Sequence, residues 1–397
     1  MNKIIREYQL LFADKMWRSV LVIWSFRQFA FGLMAVYSPL YFYSVTGNLG
    51  FVLLLLAVQS TFNGITRLPY ALSITRRRNV RPFFALSLLL LGLVYVGFVA
   101  FNEYPLVVIA LAAVEGVLLA IVTSSYVYLF SASQKKRDIG TQVGLQYDAS
   151  SLSAITAILI GGLIAGFFGL QYNFLLAAIF LAFASILVLR LKVTWPKHAK
   201  NIKYKKISLK THWPVYVSGV ANMVDYAITA VVWPLTLVVI NYFTYKNIGF
   251  VLALGLSLSL VLNLIIGKLS DDIDRARLVL DGAIGGTLLV YILRLISIFS
   301  LPGAFLLTIV GIITRGLFEV SYSVLFYRQI KKSSNKMLFI AEFESFSSFG
   351  LATFLLALAF IHYLGVNDTL TLFSAMLIGS FIIILARLIS PDHLEEV

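Results

Sequence analysis

Apolar runs of about 20 residues recur from one end of this 397-residue chain to the other. Each is long enough to cross roughly 30 Å of hydrocarbon as a helix. Inside a bilayer every backbone N–H and C=O needs a partner within the protein, and only helices or a closed barrel supply one. Unbroken apolar runs select helices. Composition agrees: 60% hydrophobic, 13% charged and mean hydropathy +0.90 leave far more apolar surface than a water-soluble fold covers. The runs place twelve spans at 17–43, 49–72, 82–101, 105–131, 142–168, 172–191, 214–244, 246–269, 277–300, 303–328, 338–364 and 369–388. Residues 1–16 read as an amphipathic segment on the membrane surface, with Lys3, Arg6 and Lys15 among Ile4, Ile5 and Phe12.

The formal net charge of +14 is explained by where the charge lies. Arg76, Arg77, Arg78 and Arg81 follow span two, and Lys135, Lys136 and Arg137 follow span four. Seven lysines run from Lys192 to Lys210 after span six, and Lys331, Lys332 and Lys336 follow span ten. The alternate loops hold one lysine, Lys246. Basic loops stay in the cytoplasm, so both termini and the long central loop are expected there, in a multi-pass protein of the cell (inner) membrane. The basic excess serves topology and contact with anionic lipid, not nucleic acid. The chain has no cysteine, so it has no disulfide and no thiolate chemistry. Four scattered histidines give no metal site, and no nucleophile–base constellation, nucleotide loop or cofactor motif is present. The chain reads as a non-enzyme without a cofactor.

The chain also repeats itself. NLGFVL from Asn48 returns as NIGFVL from Asn247, and the same spacing sets Ile74, Arg76 and Arg78 on Ile273, Arg275 and Arg277. YVYLFSASQKK from Tyr126 aligns with YSVLFYRQIKK from Tyr322. An even number of spans separates the copies, so the two halves run parallel. The segment GKLSDDIDRARLVL, from Gly267, resembles the loop signature of the major facilitator superfamily at Gly267, Leu269, Asp271, Arg275 and Arg277, and departs from it at Asp272 and Asp274. GGLIAGFFGLQYNF from Gly161 and the Arg137-Asp138-Ile139-Gly140 loop resemble the same family. Its antiporter signature is not met, because Ala157-Ile158 stands ahead of the double glycine. The resemblance implies an all-α polytopic membrane protein of about twelve helices in two pseudo-symmetric six-helix bundles. It divides the chain into residues 1–191, a basic linker 192–213, and residues 214–397, expected to act as a monomer in the lipid bilayer.

Charges within spans are costly, about 2.5–3.5 kcal/mol each at mid-membrane, and so point to function. Those near mid-depth are Arg27 in span one, Glu115 in span four, Asp225 in span seven, and Arg315 and Glu319 in span ten. In the fold implied by the resemblance these four helices line a central cavity, which points to a small-molecule solute bound between the halves. Arg315 and Glu319, four apart, can either bind that solute or neutralise each other; Arg27 and Glu115 can likewise be ligands or a structural pair. Asp225 shares a face with Asn222 and Thr229, and reads as a lone carboxylate able to carry a coupling proton, with Glu115 competing for the role. Arg294 reads as a side chain snorkelling to the headgroups. Among the aromatics, Tyr126, Trp233 and Tyr322 lie on the cavity helices that the resemblance implies. Nearer the basic loops, the fold implied by the resemblance sets helix two against eleven and helix five against eight. Arg67 with Glu342 or Glu344, and Lys268 with Asp148, are then expected either to form two bridges of a cytoplasmic gate, together with Asp271 and Arg275 of the loop, or to be ordinary helix-end charges, with Asp148, Glu342 and Glu344 complementing the helix dipole. The reading is a secondary transporter of a small polar or anionic solute, working by alternating access with proton coupling. Export of lipophilic compounds or lipids, and a non-transporting receptor or scaffold, are the alternatives.

Overall fold

The computed structural model describes residues 15–77, 80–133, 139–191, 209–240, 243–297, 300–333 and 336–389. The N-terminal segment 1–14, Arg78, the loop residues Lys135, Lys136, Arg137 and Asp138, and linker residues 192–208 lie outside them. Among the described residues there are twelve helices long and apolar enough to cross a membrane, and no strand. They are α1 (Lys15–Thr46), α2 (Leu49–Arg77), α3 (Arg81–Ala100), α4 (Pro105–Ser133), α5 (Ile139–Phe167), α6 (Gln171–Arg190), α7 (from Leu209–Ala227 onward), α8 (Tyr245–Leu269), α9 (Ile273–Ser297), α10 (Leu301–Lys332), α11 (Lys336–Tyr363) and α12 (Asp368–Ile382, ending in a tight turn over Ile383–Leu388). All twelve expected spans are present.

One departs from a simple rod. After Ala227, α7 passes through a π-helical stretch, Ile228–Val232, before Trp233–Val239 resumes α geometry. Pro234 has no N–H for the carbonyl four residues back, so the wider turn lies where the ladder loses a rung. Helix ends are closed locally. Thr244, Ser300 and Asn367 accept from backbone N–H groups of the first turns of α8, α10 and α12. Asp272, the residue that departs from the family loop, accepts from the N–H groups of Asp274 and Arg275 at 2.9 and 3.3 Å and so opens α9. Glycines with positive φ, Gly47, Gly169 and Gly365, make the short turns α1–α2, α5–α6 and α11–α12.

These turns share one face of the molecule, called here the far end. The opposite face, where α2, α4, α6, α8 and α10 end, is the basic end. The first six and last six helices form two bundles joined along two seams, where α2 lies along α11 and α5 along α8. Outward faces of α3, α6, α9 and α12 expose Leu93, Phe183, Leu278 and Phe381, among others, as a belt suited to lipid.

Candidate transport site

In the second bundle the central side chains form one ion cluster. The Arg315 guanidinium on α10 pairs with the Asp225 carboxylate on α7 and with Glu319, one turn along, at 3.1 Å. It also donates to the Asn222 side-chain oxygen at 3.1 Å and to the Asn222 carbonyl at 3.4 Å. The Tyr291 hydroxyl on α9 donates to the other Asp225 oxygen. Asp225 is therefore not the lone carboxylate expected from its sequence neighbours. It is 1% exposed and held from two sides, because a buried carboxylate needs both a counter-charge and donors. Glu319, with its side chain 30% exposed, is the open member of the cluster.

In the first bundle, Arg27 on α1 is sandwiched between the Trp24 ring at 4.1 Å and the Phe31 ring at 3.6 Å. It donates to Gln28 at 2.6 Å and Thr123 at 3.2 Å, and its Nε has no hydrogen-bond partner. No carboxylate pairs with it: the Arg27–Glu115 pair is not formed. Glu115 points instead to Gln59 and Tyr95, beside a cavity of about 20 Å³ that Ser38 and Phe42 also line. That is room for about one water. Tyr226, which the sequence reading passed over, bridges the two centres. It lies 5.8 Å from the Arg315 guanidinium and within electrostatic reach of Arg27. Its position one residue after Asp225 turns it toward the other bundle.

The aromatic candidates take up different places. Tyr126 stacks on Trp24 at 3.4 Å, and Trp24 donates to Ser150 at 2.7 Å, so α1, α4 and α5 lock together beside Arg27. Tyr322 shares a 3.1 Å hydrogen bond with Ser218. Trp233 is fully buried within the second bundle and donates to Thr308 at 2.8 Å. Above its ring lies Arg294, 4.5 Å away and fully buried, with all three guanidinium nitrogens lacking hydrogen-bond partners. Arg294 does not snorkel. A helix apolar on every side gives no local sign of which way one arginine points.

The residues near the basic end also sort themselves. Arg67 pairs with Glu344 across the α2–α11 seam, and donates further to Asn63 at 2.7 Å and Ser124 at 3.1 Å. Glu342 accepts from Tyr216 at 3.0 Å. The second bridge is not made as expected: Lys268 is exposed, and Asp148 is buried within reach of Asn263. Arg275 is exposed, and the Asp271 carbonyl accepts from Arg328. Halves also meet here through Tyr147 and Ser323 at 2.7 Å, and through the Phe130 and Tyr327 rings at 5.3 Å. At the far end, Tyr43 donates to Asp368 at 2.6 Å, and Gly162 and Gly249 let α5 and α8 touch. Contacts thus bridge the halves on both sides of the central charges, and Arg27, Asp225 and Arg315 are each less than a tenth exposed. The central charges are therefore largely buried, while Glu319 and Tyr226 beside them keep access to solvent.

This geometry can be set beside known proteins. The chain is similar to the nucleoside transporter NupG, solved as a mutant, at 15% identity and a TM-score of 0.66, covering 94% of this chain and 98% of that one. At that identity the likeness is one of fold. No curated protein sequence matches. Residues 20–219, half of the chain, match the family described as Major Facilitator Superfamily. The chain belongs to the Major Facilitator Superfamily, as a multi-pass membrane transporter.

Proposed function

We propose that this protein moves a small polar or anionic solute across the membrane by alternating access, with residues 1–191 and 214–397 rocking about Arg27 and the Arg315 cluster. The observation that carries the reading is Arg27: a buried guanidinium held by rings and neutral side chains, with no carboxylate at ion-pair distance among the described residues. A buried cation without a counter-ion is costly, and an anionic or carbonyl group of a solute offsets that cost. Across the interface, Arg315 is already neutralised by Asp225 and Glu319. Anchoring therefore falls to Arg27, while Tyr226 and Glu319 contact the polar remainder. The nucleosides named for NupG are one polar class that suits such a site.

Proton coupling falls to Glu115, a buried carboxylate without an ion pair and beside a water-sized cavity. Asp225 serves as counter-ion to Arg315. The basic end faces the cytoplasm, with both termini and the linker 192–213 on that side.

The test is a thermal-shift screen of purified protein against organic anions, nucleosides, sugars and lipophilic cations. A ligand at about 100 times its Kd stabilises by roughly 2.7 kcal/mol. The expected hit is an anion or nucleoside that Arg27→Ala abolishes; hits confined to lipophilic cations and indifferent to Arg27 would overturn the reading. Glu115→Gln should stop pH-gradient-driven accumulation in proteoliposomes while solute exchange continues.

A further inference from the structure

The α5–α8 seam holds a buried acid that the transport site does not use. Asp148 is 8% exposed and Asn263, across the seam, is 2% exposed. Their side chains lie within reach of each other across the seam. Yet Asp148 Oδ1 and the Asn263 side-chain oxygen are both buried without a hydrogen-bond partner. Two buried acceptors, one on each side of the seam, lack a donor among the described residues. Buried polar groups are rarely left so, because each orphan costs about 1–3 kcal/mol.

The other seam shows what is missing. Asn263 follows Asn63 by 200 residues, one more than the 199 that separates Asn48 from Asn247 on the same helices, and Ser348 follows Asp148 by 200. Gly116 and Gly316, also 200 apart, bring α4 and α10 against Asn63 and Asn263 respectively. In the α2–α11 seam the Ser348 hydroxyl donates to the Asn63 side-chain oxygen at 3.2 Å. At the matching place in the α5–α8 seam the hydroxyl is replaced by a carboxyl group. One proton on Asp148 restores the O–H donor: it satisfies the Asn263 oxygen, while the Asn263 amide donates back to the second Asp148 oxygen. An acid and a primary amide then form a closed, neutral, two-hydrogen-bond pair.

We infer that Asp148 and Asn263 form a proton-binding site in the α5–α8 seam, in which uptake of a proton closes the basic end and its release opens it. Among the described residues no charged side chain forms an ion pair with Asp148. The nearest cations on the packed helices, Arg27 on α1, Arg190 on α6, Lys246 and Lys268 on α8, and Arg315 and Arg328 on α10, make no ion pair with it, and Glu319 on α10 carries the same sign of charge. Opening the seam admits water, in which a carboxylate is ionised near neutral pH. The protonated acid completes the pair with Asn263 only when the seam is closed, so low pH favours the closed form.

The inference rests on the alternating-access reading, and one experiment separates the two. The chain has no cysteine, so spin labels at Leu189→Cys and Leu278→Cys report only the basic ends of α6 and α9. In the doubly labelled, otherwise native chain the short-distance population should grow as pH falls from about 8 to about 5.5. Asp148→Asn, an amide that donates at every pH, should hold the short distance throughout, and Asn263→Ala should lose at least half of the pH response. Glu115→Gln should keep it. An unchanged pH response in Asp148→Asn overturns the inference and leaves the transport reading intact. A single distance in every variant and at every pH overturns both.

Discussion

Along the α2–α11 seam the two bundles meet through charge and donated hydrogen bonds. Arg67 reaches Glu344, Ser348 reaches Asn63, and the Ser345 hydroxyl reaches the Gly64 carbonyl at 2.9 Å. Along the α5–α8 seam they meet through close backbone contact and one incomplete polar pair. The Tyr37 hydroxyl donates to the Ile158 carbonyl at 2.7 Å beside the point where Gly162 and Gly249 touch, and nearer the basic end Asp148 faces Asn263. One seam carries its own cation, and the other draws one from solution. Identical seams would open and close alike whatever the pH; unlike seams let a single titratable position bias the motion while the ion pair keeps register.

The largest effect should come from removing the cation of the first seam. Arg67→Ala leaves Glu344 buried and unpaired, and should destabilise the protein by about 3–5 kcal/mol, read as a lower melting temperature in detergent. Exchanging the charges, Arg67→Glu with Glu344→Arg, should recover much of that loss; no recovery would mean that Arg67 acts through Asn63 and Ser124 alone. Next comes close packing in the second seam. A Cβ at Gly249 would lie 2.8 Å from the Tyr37 hydroxyl and 2.9 Å from the Ile158 carbonyl. Gly249→Ala should therefore cost about 1–3 kcal/mol and slow transport. If it instead leaves both stability and rate unchanged, the far end of the seam is looser than its geometry indicates. The smallest effect is expected at the hydroxyl. Ser348→Ala should cost about 0.5–1.5 kcal/mol at every pH, because a serine donor does not titrate near neutrality. A cost that varied with pH would erase the contrast between the seams.

The central site offers a similar contrast between bundles. Arg27 and Arg315 look alike in sequence, each an arginine amid apolar residues with an acid assigned nearby. The second arginine finds its acid four residues along the same helix, so the Arg315–Glu319 pair was legible from helical spacing. Arg27 was given Glu115, an acid on another helix, and the structure separates them. Tyr226 and Asn263 went unnoticed, because a neutral side chain in a span carries no desolvation penalty large enough to mark it.

Local physics decided the architecture. A bilayer acts on each segment separately, so length and apolar content defined twelve spans, and the parallel repeats with the Gly267 loop pointed to the fold. The bridge between Arg67 and Glu344 also followed from knowing which helices face each other. Tertiary structure decided the partners. Whether Asp225 stands alone or binds Arg315 and Tyr291, whether Arg294 reaches lipid or lies over Trp233, and whether Asp148 meets Lys268 or Asn263 all depend on rotation and register between helices. A helix apolar on all sides does not record its own rotation, since no polar face marks outside from inside. Only packing against neighbours sets it, and that packing turned a list of buried charges into one ion cluster, one unneutralised arginine and one acid short of a proton.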